Sequence, residues 1–272
     1  MKAGESYNSC RIAVPAAFEP VFTHFYFAEN KSGEAVRKTF LPSYQTILVF
    51  NFGTHAVLHS RHKNQLEIDQ CMVVGPIRQA FDYTLSIGAE ILVANFKDDA
   101  FYRFFGENTL AEHVPINPDD LLDENCFTAL WKELKNIGDV AERISHILAF
   151  CAPYLRQQTT IAGQLTRSRE QALNPIKAIA AEHKQTARNI QLNHKKQLGY
   201  SAKEINRYQR FLKAIDLLQH LVVKEQKIDW FELIEACGYY DQSQLIHDFR
   251  HYLNLSPTRY LKFQQDICSA RS

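Results

Sequence analysis

The segment ACGYYDQSQLIHDFRHYLNLSPTRYL, residues 236–261, has the pattern of a short helix, a tight turn and a second helix. Asp229, just before it, stands three residues ahead of a glutamate, which is capping-box spacing and predicts a helix that begins at Trp230. Gly238 is expected to end that helix, because glycine adopts a left-handed backbone without steric cost. Asp241 then caps the next helix, and the short connection predicts a sharp crossing of the two helices.

The second of these helices has one apolar face and one polar face. Leu245, Phe249 and Leu253 recur at every fourth position, so this row is expected to face the core. Amide, hydroxyl and imidazole side chains lie outside that row and in the first turn, the end that a recognition helix inserts into the major groove. The residues predicted to read bases are Gln242, Ser243, Gln244 and His247. The pattern predicts a helix-turn-helix over about residues 230–254.

Charge and aromatic residues divide the chain into two unlike halves. Residues 1–165 hold 14 Lys and Arg against 19 Asp and Glu, whereas residues 166–272 hold 17 against 11, so the second half suits a polyanion. Of the 18 phenylalanines, 14 lie in the first half, in short apolar runs punctuated by turn residues that predict antiparallel strands. We predict an α+β chain, with a β-rich, barrel-like domain and appended helices over 1–160 and an all-helical domain over 161–272.

The segment quoted first resembles the C-terminal signature of AraC/XylS-type transcription regulators. Its matching positions are Ala236, Gly238, Tyr239, Ser243, Phe249, Arg250, Ser256, Pro257 and Tyr260. Asn254 stands where that family usually has glycine, and asparagine is the next most tolerant residue at a left-handed helix end. The resemblance implies a one-component regulator that binds double-stranded promoter DNA.

Residues 176–214 resemble the other helix-turn-helix of that family, with a motif over about 176–200. Thr186 stands at the cap position between its two helices. The match departs from the family pattern at Leu192, where arginine is common, and at His194, where a core phenylalanine is expected. We interpret His194 as a buried, hydrogen-bonded histidine rather than a ligand.

The polar face of this first motif is the second predicted DNA contact. Its candidate base-reading residues are Arg188, Asn189 and Gln191. The residues predicted to contact phosphates in either motif are Lys195, Lys196, Arg210 and Arg250. An ordinary solvated helix face has the same composition, and this alternative stays open. The resemblance implies a linker helix from Ile205 to about Gln219 that sets the two recognition helices about 34–36 Å apart, in successive major grooves.

The N-terminal half resembles, less closely, the sensing or dimerisation domain of some such regulators. Inward-facing aromatic residues of a barrel can line an apolar ligand pocket or fill the core outright. The candidates for the pocket are Phe50, Phe52, Tyr83 and Phe96. The sequence therefore leaves room for a small-molecule effector without identifying it.

An amphipathic helix precedes the predicted domain boundary. Ile144, Ile147, Leu148, Cys151 and Leu155 share one of its faces. This face serves either to pack against the sheet or to form a dimer seam, and the sequence does not separate the two uses. The resemblance implies a homodimer, and RNA polymerase is a further expected partner.

Histidines and carboxylates between residues 55 and 69 are the one arrangement that suggests metal binding. His55 and His59 can share a strand face with Glu67 or Asp69 nearby, whereas His62 needs an intervening turn. We predict no metal and no cofactor, and we find no nucleophile elbow, phosphate loop or zinc-protease motif, so no enzyme is predicted. The alternative class is a small-molecule or metal-binding barrel whose helical half serves assembly.

The sequence also predicts where the protein resides. It has neither an apolar signal core nor a run of about 18 apolar residues, which predicts a cytoplasmic protein that does not enter a membrane. The six cysteines are scattered without a CxxC pair, which favours reduced, mostly buried thiols over a disulfide framework or a zinc knuckle.

Overall fold

The computed structural model describes residues 6–59, 65–106, 114–122, 124–167, 175–224 and 228–262. Strands come first and helices follow, so the architecture is α+β, which confirms the predicted fold class. By its contacts the chain forms two compact units, Met1–Ser201 and Ala202–Ser272. The predicted boundary near residue 160 rests on amino-acid composition, whereas these two units are defined by contacts, so that boundary stays a prediction.

Nine strands are seen in the described ranges. They are β1 (Tyr7–Ile12), β2 (Phe22–Asn30), β3 (Val36–Phe40), β4 (Ile47–Asn51), β5 (Ala56–His59), β6 (Gln65–Ile68), β7 (Cys71–Val74), β8 (Phe81–Leu85) and β9 (Glu90–Phe96). They form two antiparallel sheets, with strand orders β1-β2-β9-β4-β7 and β3-β8-β5-β6. The barrel-like domain is therefore a pair of sheets that does not close.

Two buried asparagines at strand ends tie the sheets together. The Asn30 side-chain amide donates to the Leu85 carbonyl at 2.9 Å, and that of Asn51 donates to the Ile68 carbonyl at 2.6 Å. Both side chains are fully enclosed, so these hydrogen bonds satisfy polar groups that water does not reach. They join the five-stranded sheet to the ends of β8 and β6.

The five-stranded sheet is buried on both faces. Ile47 and Val49 of β4 face the other sheet, whereas Leu48 and Phe50 face a second core that the helices complete. Strand β9 alternates in the same way, because successive side chains of a strand point to opposite sides. The domain thus has two separate apolar cores, one on each side of this sheet.

Seven helices of the first unit follow the strands in the described ranges. They are α1 (Ala100–Phe105), α2 (Pro118–Leu122), α3 (Cys126–Lys135), α4 (Val140–Cys151), α5 (Thr160–Arg167), α6 (Pro175–Glu182) and α7 (Ala187–Leu198). No helix within these ranges, or in the described part of the second unit, is both long and apolar enough to cross a membrane.

Helix α4 answers the question that the sequence left open about its apolar face. Ile144, Ile147, Leu148 and Cys151 are buried in the same core as Phe50 of the sheet. The face therefore packs inside the unit and is not available as a dimer seam. The homodimer stays a prediction, without this surface to support it.

The second unit is helical where it is described. It contains α8 (Ala202–Val223), α9 (Trp230–Cys237), α10 (Gln242–Leu253) and a last helical turn at 257–262. Phe211 packs edge-on against Phe249 at 5.1 Å between ring centroids, and its ring lies 4.6 Å from that of Tyr252. This aromatic cluster fixes α10 on α8.

The core-facing row of α10 differs from the prediction at one position. Leu245 and Phe249 are fully buried as predicted, but Tyr252 is the third buried member and Leu253 is only half-buried. The reason is the helical repeat of 3.6 residues per turn. Tyr252, seven residues after Leu245, lies almost on the same side of the helix as Leu245, whereas Leu253, eight residues after it, is rotated further toward solvent.

Candidate DNA interface

Side-chain caps begin both helices of the predicted second helix-turn-helix, α9 and α10. The Asp229 carboxylate accepts from the backbone N–H groups of Phe231 and Glu232 at 2.9 and 3.3 Å, so α9 begins at Trp230 as predicted. Gly238 ends α9 with a φ of 74°, in the left-handed region. The Asp241 carboxylate then accepts from the N–H of Gln244 at 2.8 Å and starts α10.

The first turn of α10 and the stripe below it are open to solvent. Gln242, Ser243, His247 and Arg250 are exposed, and the last three follow one another at i, i+4 and i+7 on one side of the helix. Two neutral polar groups, an imidazole and a guanidinium therefore stand on one accessible surface. We call these four residues the α10 surface.

Gln244 differs from the other predicted base-reading residues. It is half-buried, and its side-chain oxygen accepts from the backbone N–H of Tyr240 at 2.9 Å. This contact stabilises the turn before α10, because it gives an acceptor to a backbone N–H that lies outside both helices. A substitution of Gln244 therefore disturbs the turn whatever it does to DNA, and Gln242 is the cleaner probe.

An exposed aromatic residue beside this turn did not stand out in the sequence. Tyr240 is 92% exposed, whereas the neighbouring Tyr239 is buried. The Tyr-Tyr pair could have suggested one inward and one outward ring, but the family-like signature draws attention only to Tyr239. Tyr240 places a large ring with a polar tip at the start of the α10 surface.

A buried carboxylate fastens α10 to α8. Asp248 is 1% exposed and accepts from the Arg207 Nε at 2.6 Å and from the Arg210 Nη2 at 3.0 Å. The Arg210 guanidinium also lies 4.5 Å over the ring of Tyr239. Arg210 thus shares the Asp248 carboxylate with Arg207, so the cluster keeps one net positive charge, and the phosphate contact of Arg210 stays a prediction.

The second helix of the predicted first helix-turn-helix, α7, has a similar capped start. The Thr186 hydroxyl accepts from the N–H of Asn189 at 3.2 Å and begins α7, and Gly199 ends it with a φ of 78°. The predicted contact residues of this motif are all exposed on α7, namely Arg188, Asn189, Gln191, Lys195 and Lys196. Leu192 lies among them with 56% of its surface exposed, an apolar side chain within a cationic face.

His194 takes the core position where the family pattern has phenylalanine. It is 3% exposed, and its Nδ1 donates to the Tyr200 carbonyl at 2.8 Å, since a carbonyl oxygen only accepts. Its ring also meets the Tyr200 ring edge-on at 5.9 Å. The interpretation of His194 as a hydrogen-bonded core residue agrees with this geometry.

The C-terminal end of α7 contacts the β-rich part of the same unit. The Tyr200 ring packs edge-on against Tyr44 at 5.1 Å, and Arg78 donates to the carbonyl of Gly199. Lys196 lies 5.8 Å over the ring of Tyr102 on α1. The end of α7 is therefore held by Tyr44, which precedes β4, by Arg78, which follows β7, and by Tyr102 of α1.

An apolar cavity lies between the two sheets. The cavity is narrow, with a volume of about 20 Å³, and its wall consists of Tyr26, Phe40, Ile47, Val49, Ala56, Leu58, Ile68, Phe81, Tyr83, Ile91 and Val93. The Tyr83 hydroxyl lies 3.2 Å from that of Tyr26, which in turn is 3.0 Å from that of Tyr7. The hydroxyls thus bond to each other, and burial raises the pKa of Tyr83.

Of the four residues predicted to line a pocket, Tyr83 lines this cavity. Phe50 and Phe96 are buried in the core on the helical side of the five-stranded sheet, and Phe52 packs against that core. This placement corrects the prediction for these three residues. The physical reason is strand parity, because a strand that is buried on both faces reads as continuously apolar and does not show which side faces the ligand.

The histidines and carboxylates between residues 55 and 69 come together only in part. His55 Nδ1 lies 3.1 Å from an oxygen of Asp69 and 3.8 Å from one of Glu67, and all three side chains are exposed. His59 instead places its Nε2 2.7 Å from the Thr84 hydroxyl. His62 lies outside the described residues. Such an exposed group is common without an ion, and we propose no metal here.

The solved structures that resemble this chain include regulators of transcription. ToxT from Vibrio cholerae is 13% identical over 95% of this chain and 98% of its own, with a TM-score of 0.42. A ToxT structure bound to (E)-4-(8-methylnaphthalen-1-yl)but-3-enoic acid is 13% identical over 88% of this chain and 99% of its own, with a TM-score of 0.41. The AraC-like transcriptional activator CuxR is 12% identical over 77% of this chain and 95% of its own, with a TM-score of 0.25. No protein-family model and no curated protein matches the sequence.

Proposed function

We propose that this protein is a sequence-specific, DNA-binding regulator of transcription. The observation that carries the proposal is the α10 surface, in which Gln242, Ser243, His247 and Arg250 are exposed on a capped helix that follows a tight turn. Amide, hydroxyl and imidazole groups hydrogen-bond to base edges, and a guanidinium binds a phosphate or a guanine. The AraC/XylS-like signature around this helix supports the same function.

The two helix-turn-helix motifs are given separate roles in this proposal. In the second motif, Gln242, Ser243 and His247 read bases and Arg250 binds phosphate. In the first motif, α7 presents its cationic face to the DNA backbone through Lys195 and Lys196. Arg188, Asn189 and Gln191 are proposed to contact bases there, with Leu192 positioned to meet a thymine methyl group. Arg210 binds Asp248, and its phosphate contact is a separate proposal that the salt slope of an Arg210 variant would test.

The full chain tests the proposal in a fluorescence-anisotropy titration. It is titrated against a site recovered from random DNA by selection, and against a scrambled duplex, over a series of salt concentrations. Gln242→Ala is expected to weaken the selected site by about 1 to 3 kcal/mol and to leave the scrambled duplex unchanged, because a base contact carries sequence information. Gln70→Ala, an exposed amide in the turn between β6 and β7, is the matched control and should change neither.

A second variant separates phosphate contact from base reading. Arg250→Ala should weaken both duplexes and reduce the log-log salt slope by about 0.9, the value for one phosphate contact. Lys132→Ala on α3 removes one exposed positive charge from a helix that belongs to neither motif and should leave the slope unchanged. If the wild-type chain recovers no preferred sequence and binds no duplex at low salt, the proposed function is wrong.

We also propose that the cavity between the sheets widens to bind a small apolar effector. Its wall is apolar apart from tyrosine hydroxyls that hydrogen-bond to one another, so the binding free energy of a ligand comes mainly from the transfer of its apolar surface out of water. Ile47 and Val49 of this wall lie three and five residues after Tyr44, which packs against Tyr200 at the end of α7. A ligand that shifts β4 would therefore act on the first motif.

A cavity-filling substitution tests the effector proposal. The fluorescent apolar probe 1-aminonaphthalene should bind the wild-type chain, and Val49→Trp should abolish this binding because the indole occupies the cavity. Val57→Trp on the outward side of β5 is the control and should bind the probe as the wild type does. Circular dichroism checks that both variants fold, and Ala56→Leu fills the cavity less drastically. Equal binding by all four chains would refute the site.

A further inference from the structure

Arg207 on α8 contacts two consecutive residues of the proposed recognition helix. Its Nε donates to the buried Asp248 carboxylate at 2.6 Å, and its Nη2 donates to the Nδ1 of His247 at 2.9 Å. The guanidinium plane also lies 5.6 Å over the ring of the buried Tyr252. Packing and an ion pair therefore fix the direction in which this guanidinium points.

The contact with Arg207 decides which nitrogen of His247 carries a proton. A guanidinium has donors only, so His247 Nδ1 must accept with its lone pair. In a neutral imidazole the other nitrogen, Nε2, then carries the hydrogen and acts as a donor. The alternative neutral tautomer and the imidazolium would both place an N–H against the Arg207 N–H, which excludes them from this geometry.

We propose that Arg207 is a positioning residue that makes His247 a hydrogen-bond donor toward DNA. The inference rests on the proposed function, because it assumes that the exposed edge of His247 faces the major groove. A donor at Nε2 pairs with the acceptors there, which are N7 of either purine, O6 of guanine and O4 of thymine. It does not pair with the N4 amino group of cytosine, so His247 selects against cytosine on the strand that it reads.

Arg210 provides a matched control for Arg207. Both arginines lie on α8 and bind the same Asp248 carboxylate, but within the described residues the hydrogen bond to His247 comes from Arg207. Lysine retains the positive charge at either position, yet its single ammonium group does not reproduce the two directed donors of guanidinium. Arg207→Lys and Arg210→Lys therefore both disturb Asp248, and only the first also releases His247.

The tautomer is measured on the full chain without DNA. Long-range ¹H–¹⁵N correlation spectra, assigned with His247→Gln, should show His247 in wild type with a protonated Nε2 and an unprotonated Nδ1. Arg210→Lys should retain this pattern, and Arg207→Lys should give a mixture of tautomers. A wild-type His247 with the proton on Nδ1, or no difference between the two variants, would overturn the inference whatever the DNA results are.

Base discrimination is measured on the selected duplex. Each base pair is replaced in turn, and the pair at which His247→Ala loses its preference marks the contact. Arg207→Lys should lower discrimination there by about tenfold, the double variant should be no worse than His247→Ala alone, and Arg210→Lys should discriminate like wild type. Replacing a contacted purine by its 7-deaza analogue should weaken wild type and not His247→Ala if N7 is the acceptor.

The outcomes separate this inference from the proposed function. Normal DNA binding with unchanged discrimination in Arg207→Lys refutes the positioning role of Arg207 and leaves the regulator proposal intact. Failure of the wild-type chain to bind any duplex refutes the regulator proposal, and with it the base-reading role of His247. Reduced affinity without a change in discrimination means a structural role for Arg207 and also overturns the inference.

Discussion

Asn254 shows how one residue ends the proposed recognition helix. Its φ is 58°, in the left-handed region, and its backbone N–H donates to the Arg250 carbonyl at 3.1 Å. Residues with a Cβ adopt this conformation at a cost of roughly 1–2 kcal/mol, which glycine avoids and asparagine reduces. We therefore expect Asn254→Ala to destabilise the second unit by about 1 kcal/mol and Asn254→Gly to leave it unchanged or slightly more stable.

Urea unfolding of the 5-fluorotryptophan-labelled chain measures this difference. The chain has two tryptophans, Trp131 in the first unit and Trp230 in the second, so ¹⁹F NMR follows each unit separately. Asn206→Ala, at an exposed position within α8, is the control and should not destabilise the Trp230 transition. Equal stability of the Ala and Gly variants at position 254 would contradict the role of the left-handed backbone.

At the same scale, the sequence predicts capping residues well because a cap acts within a few residues of chain. Asp229, Thr186 and Asp241 are helix caps at their predicted positions. Arg207 and the engagement of Arg210 with Asp248 were not predicted, since they depend on how α8 and α10 meet across about 40 residues of sequence. An aspartate on the inward face of a predicted helix was the one available signal, because a buried carboxylate requires a partner.

Helices and strands differ in how well the sequence predicts which of their faces is buried. Helices α4, α9 and α10 have one apolar face each, so periodicity predicts which side is buried. Strands β4 and β9 are buried on both sides, and the same periodicity cannot assign Phe50 or Phe96 to either core. The cavity residues Ile47 and Val49 were missed for this reason, although the strands themselves were predicted.

Arg143 illustrates a contact between elements that periodicity does not reveal. It is buried at the start of α4, and its Nε donates to the carbonyls of Leu134 and Ile137 at 3.1 and 2.7 Å. The Leu134 carbonyl belongs to the last turn of α3 and that of Ile137 lies two residues after the helix, so Arg143 supplies a side-chain donor to this helix end. The guanidinium also pairs with Glu90 and lies 4.0 Å over the Phe52 ring. It joins α3, α4 and the start of β9.

At the scale of the whole molecule, the proposal concerns both units, because α7 belongs to Met1–Ser201 and α10 to Ala202–Ser272. Each unit contains a buried cysteine that reports on its opening. Burial raises the pKa of the Cys151 thiol to about 12 and also raises that of Cys237. Both thiols are therefore neutral and shielded near pH 8, and a thiol reagent reaches them only when the unit opens.

DNA that engages both motifs should protect both thiols. The test uses variants that retain Cys151 alone or Cys237 alone and the thiol reagent 5,5′-dithiobis(2-nitrobenzoate). Selected DNA at a free concentration of 100 times Kd should slow labelling about 100-fold, because DNA that binds only the folded state lowers the population of the open state by about 100-fold. A variant that retains only Cys10, which is exposed, should label at the same rate with and without DNA. Protection of Cys237 without Cys151 would contradict the proposed role of α7 and restrict DNA binding to the second motif, and protection of neither would contradict DNA binding by the chain.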